Sequence, residues 1–251
     1  MTSQPLLFDD AALLWARAQM HIAEYRREPP SWHFDEVRDL GTGDWLYGVT
    51  LDREALRVRK PIISDIANNL IHALDQVLAA CARIHGTARS GIYYPIFNNN
   101  DRFDEALIKL SKSVGGEMLE VFRRVRDADP SRAHLATLKQ LSNSAKHWAL
   151  APPTAAIDAV GIASPRGRFM VDVPIGHFDH SDHLPILRTQ ERLDHWATEI
   201  LVGMRFSGLD PDEGADPMTV FISGSRHVAA VLTHVTALSG GPVFAAGPGV
   251  F

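Results

Sequence analysis

Two short polar stretches set into apolar helical segments carry the residues best suited to acid, base or phosphate chemistry. They are Asn68-Asn69-Leu70-Ile71-His72-Ala73-Leu74-Asp75 and Leu141-Ser142-Asn143-Ser144-Ala145-Lys146-His147-Trp148. An imidazole held by a carboxylate can move protons near neutral pH, and an ammonium beside it can hold negative charge. His72, Asp75, Asn143, Lys146 and His147 therefore form the candidate catalytic set, converging across two packed helices. The preferred expectation for the same residues is structural: Asp75 accepts a buried hydrogen bond from His147 or Lys146 and pins the register of the helix pair.

A second concentration lies at His177-Phe178-Asp179-His180-Ser181-Asp182-His183. Imidazole and carboxylate suit Zn, Ni or Mn, which makes His177, Asp179, His180 and His183 candidate metal ligands. Their i, i+3, i+6 spacing in a turn does not preform a tetrahedral site, so a polar hairpin turn and no resident cofactor are expected. The chain has no Gly-x4-Gly-Lys-Ser/Thr loop, Gly-x-Ser-x-Gly elbow or His-Glu-x-x-His motif, which removes the common nucleotide, hydrolase and zinc-protease readings.

A formal charge of −5 and a pI near 6.2 give no net attraction to nucleic acid or anionic membrane. Arg123-Arg124-Val125-Arg126 is the nearest basic run, but Glu117, Glu120, Asp127 and Asp129 surround it, which predicts a solvated mixed-charge helix face. The single cysteine, Cys81, forbids an internal disulfide and fits a reducing compartment. With no leader-like segment and no long apolar run, a cytoplasmic protein without a membrane span is expected.

Hydrophobic spacing sets out the elements that must position these residues. A helix is expected over 9–28, with Asp9 and Asp10 at its start and Pro29-Pro30 at its end. A β-hairpin follows over 34–59, with Leu56 and Val58 as a third short strand. A helical core covers 63–150. It opens with a long helix capped by Ser64 or Asp65, continues past a break near Gly115-Gly116, and ends with a helix signalled by Asp129-Pro130-Ser131. An antiparallel β-meander is expected over 155–207, a last helix over 224–239 and a loose tail over 240–251. One α+β domain spanning 1–251 accommodates this order.

Asn69-Leu70-x-x-Ala73-Leu74-Asp75, Tyr94-Pro95-Ile96 and Leu138-x-x-Leu141-Ser142-Asn143-x-x-Lys146-His147 resemble the HNLRxALDH, FPI and LHxLNxxDKH pattern of a large group of uncharacterised bacterial proteins. Ile71 and His72 stand where that group has Arg and Ser, and Ala145 replaces an Asp. The group is similar to HEPN-like helical bundles, which include ribonuclease toxins and non-catalytic partner modules. The resemblance implies such a bundle, with an N-terminal hairpin and a C-terminal meander.

A ribonuclease of that kind needs Arg and His with four to six residues between them on a helix, the Arg on the phosphate and the His as acid or base. Arg26 and Arg27 precede His33 at this spacing, and Arg188 precedes His195, about what chance gives in a chain this rich in both. None lies in the helix pair that carries the resemblance. The resulting expectation is a non-catalytic interaction or accessory module, homo-oligomeric or bound to a protein partner. RNA as partner has no support from net charge, and the alternative is a divergent ribonuclease or a metal-assisted hydrolase.

Overall fold

A computed structural model of the 251-residue chain describes residues 7–87, 91–147, 155–164, 167–173, 177–192, 199–206, 216–240 and 244. Side chains at 144–147, 155–158, 164, 167–169, 179, 199–201, 204 and 205 lie outside that description. The protein is mixed α+β and divides into two compact units, each assembled from separated stretches of chain.

The helical unit takes Met1–Arg26, Pro61–Ala151 and Met218–Phe251. Helix α1, Asp9–Arg27, buries Ala11, Trp15, Ala18, Ile22 and Tyr25 at three- and four-residue steps. Helix α2, Arg53–Ile84, starts eleven residues before Ser64 because Asp52 caps it: Asp52 Oδ1 accepts the Ala55 amide at 2.9 Å. The expected third strand at Leu56 and Val58 is therefore its opening turns. Helices α3, Asn100–Leu110, and α4, Gly116–Ala128, flank the expected break at Gly115, and α5 spans Ala133–His147. Helix α7, Pro217–Leu238, begins seven residues ahead of the expected 224 and has little polar face, burying Val220, Phe221, Gly224, Val228, Val231, Leu232 and Val235.

Two close contacts show how α7 is seated in this unit. Trp15 Nε1 donates to the Ser225 carbonyl at 3.1 Å, joining α1 to α7. At Gly224 a Cβ would lie 2.1 Å from Leu138 Cδ1 and 3.4 Å from Leu70 Cδ1, so glycine is what lets α7 approach the side chains of α5 and α2 this closely. Among the described residues no helix, α7 included, is long and apolar enough to cross a membrane.

The sheet unit takes Arg27–Lys60 and Pro152–Pro217. Strands β1, Trp32–Arg38, and β2, Trp45–Leu51, pair antiparallel with Trp32 opposite Leu51. Strands β3, Ala155–Ser164, and β4, Gly167–Asp172, also form a hairpin, and α6, His177–His180, is a single turn before β5, His183–Thr189; β6 is Glu199–Phe206. The expected continuous meander is not formed. β5 leaves its neighbours to pair with β2, and β6 returns to β3, giving two antiparallel sheets of order β1-β2-β5 and β4-β3-β6. The reason lies in burial: Leu184 of β5 joins Val49, Leu51, Leu56, Val160, Ile162 and Phe178 in one core.

Candidate functional site

The two polar stretches do face each other, through a pair the sequence reading did not single out. Ser142, fully buried on α5, donates its hydroxyl to Asn68 Oδ1 of α2 at 2.7 Å. Asp75 turns to the loop after α2 and accepts the Tyr94 amide on Oδ1 at 2.8 Å. His72 is half-buried and engaged, while Asn143 is exposed. Lys146 and His147 occupy the last turn of α5, and their side chains lie outside the described residues.

The more developed constellation sits where that anchored loop meets the α4–α5 turn and α7. His227 is 3% exposed, and each ring nitrogen has a partner: Nδ1 lies 2.9 Å from Asp129 Oδ2 and Nε2 lies 3.2 Å from the Tyr94 hydroxyl. Burial acts to raise the Asp129 carboxyl, but hydrogen bonds from His227 and the Ser131 amide outweigh it and hold the group below its ordinary 3.8. Burial drives the Tyr94 phenol well above its ordinary 10.0. An ionised Asp129 needs a donor, which places a proton on His227 Nδ1. Nearby, burial lowers His134 below its ordinary 6.5 against the opposing pull of Asp129.

A small cleft opens beside Tyr94, about 230 Å³ including its mouth, walled by Pro95, Ile96 and Phe97 and edged by Arg126, Arg132 and His227. Arg126, expected on a solvated charged face, is instead 5% exposed. One of its terminal nitrogens, Nη2, reaches Asn100 Oδ1 at 2.9 Å and the Phe97 and Asn98 carbonyls at 3.3 and 3.4 Å. Its Nη1 lies 3.3 Å from Asp127 Oδ1, and its guanidinium stacks 4.3 Å over the Phe103 ring. Its Nε is buried with no partner. The sequence signal for His227 was its place on the core stripe of α7, between Gly224 and Val231, where a histidine must find hydrogen-bond partners.

In the sheet unit, His183 joins a separate cluster. Its Nδ1 lies 3.0 Å from Thr50 Oγ1 and 3.4 Å from Asp35 Oδ2; Thr50 also donates to Asp35, and His33 Nε2 lies 3.1 Å from Asp35 Oδ1. Gly48 makes room for the His183 ring, which a Cβ there would meet at 2.3 Å. His177 Nε2 donates to the His183 carbonyl at 2.9 Å, and His180 is exposed. Asp179's side chain falls outside the described residues, among which no three His, Cys, Asp or Glu side chains gather as a metal site.

Comparison with models of known families, with curated proteins and with solved structures gave no match to this chain.

Proposed function

We propose that the chain is a non-catalytic interaction or accessory module, built on a HEPN-like helical core, whose recognition point is the cleft beside Tyr94. The observation that carries this reading is the closed state of His227. A general base must be within reach of substrate, and this imidazole is 3% exposed, shut in behind an equally buried Tyr94 and the Asp129 carboxylate. On α2, Asp75 and Asn68 hold the Tyr94 amide and the Ser142 hydroxyl. The cleft is also too small to enclose a drug-sized ligand.

The test is RNA cleavage by purified protein, run beside His227→Asn and His147→Ala. All three proteins are expected to leave RNA at the level of buffer alone. Cleavage by the wild type that either substitution removes overturns the reading in favour of a ribonuclease.

A further inference from the structure

We propose that two copies of this chain pair through helix α1, the two helices lying antiparallel along a ridge that holds Leu13 and Met20. The inference is independent of the Tyr94 cleft. Helix α1 has an apolar side that the fold covers, where Ala11, Trp15, Ala18, Ile22 and Tyr25 are buried. On the opposite side Leu13 is 68% and Met20 72% exposed. A helix seated on a core by one face ordinarily turns polar residues to water on the other. Single exposed apolar side chains need no explanation, but these two lie two helical turns apart on one line, with exposed Ala16 between them.

The spacing of that line points to the partner. Asp9, Leu13, Ala16, Met20, Ala23 and Arg27 follow one another at steps of four and three residues, the repeat that keeps a seam facing a second helix. Reversed, this seam is complementary to itself. A two-fold axis between two α1 helices sets Leu13 opposite Ala23 and Met20 opposite Ala16, a large side chain against a small one at every level, so that the ridges interdigitate. The same axis sets Asp9, at the start of one helix, opposite Arg27, at the end of the other, and does so twice. Both residues are exposed, and such a pair adds orientation more than strength. On one flank the two Arg17 side chains lie near the axis, each beside Glu24 of the second copy. Parallel pairing loses these matches, because it sets Asp9 on Asp9, Arg27 on Arg27 and Leu13 on Leu13. A match of the seam to its own reverse selects a second copy over an unrelated protein.

The experiment is sedimentation equilibrium of the full chain from about 1 µM to about 500 µM, a range that brackets a weak to moderate dimer. The mass is expected to rise with concentration from one chain towards two. Met20→Glu, at an exposed position, is expected to keep the circular dichroism of the wild type and raise the dissociation constant about tenfold or more. Asp9→Arg and Arg27→Asp are each expected to weaken pairing, and the chain carrying both is expected to recover it, since the antiparallel match is then rebuilt with its charges exchanged. A mass of one chain throughout, which leaves the ridge to a different protein, overturns the proposal. A dimer that Met20→Glu does not weaken, or no recovery when Asp9→Arg and Arg27→Asp are combined, overturns it as well.

Discussion

At the scale of single residues, acid is the condition that exposes how the buried polar groups are held. Asp129 has a folded pKa below 3.8, so its stabilising contribution is full above that ordinary value and is lost as pH falls through the lower folded one. His134 has a folded pKa below 6.5, so the unfolded chain takes up that proton first and stability already declines as pH drops past 6.5. Denaturant midpoints across pH are expected to fall in these two steps. His134→Asn should remove the first step, and Asp129→Asn should shrink the second while costing about 1–3 kcal/mol at neutral pH, because a neutral amide is a weaker acceptor for His227 and the Ser131 amide than the carboxylate. A pH profile unchanged by Asp129→Asn would show that this carboxylate adds nothing to the fold. Such residues were only partly legible in the sequence. Asp75 stood out by type and Tyr94 within the Tyr94-Pro95-Ile96 segment, but their pairing depends on a loop returning to α2, and no spacing rule encodes that return. Arg126 looked solvated because its neighbours in sequence are charged, whereas its neighbours in space are Phe103 and the loop carbonyls.

At the scale of elements, the approach of α7 to α5 and α2 turns on Gly224. Alanine there gains up to about 1 kcal/mol of helix propensity, yet its Cβ would meet the fully buried Leu138 at 2.1 Å, and overpacking a filled core typically costs about 1–3 kcal/mol. The steric effect is the larger, so Gly224→Ala is expected to lower the denaturation midpoint, and Leu138→Ala added to it should cost less than in the wild type. Strictly additive losses in that double-mutant cycle would refute the contact. Helices were legible wherever an apolar stripe repeated every three to four residues, as in α1 and the later part of α2. The start of α2 was not, because Leu56 and Val58 alternate like strand residues and the deciding signal, the Asp52 cap, is a single side chain. The partner of β5 was equally hidden, since a strand's own alternation says which face is buried and nothing about which strand lies beside it.

At the scale of the whole chain, each unit is discontinuous in sequence. The core of the sheet unit draws Val49, Leu51 and Leu56 from its first segment and Val160, Ile162, Phe178 and Leu184 from its second. A peptide of residues 27–60 has one hairpin and less than half of that core, so its circular dichroism is expected to show no stable strand, since a lone two-stranded hairpin is marginal in water. Joining it through a linker to residues 152–217 is expected to restore strand signal, and a peptide of 27–60 that folds alone would defeat this account. The trio of Tyr94, Asp129 and His227 is just as dispersed, coming from the loop after α2, the α4–α5 turn and α7. Replacing any one strands a buried partner, so in descendants and relatives of this chain the three should drift together or stay fixed together, a signature of descent that single-position identity would miss.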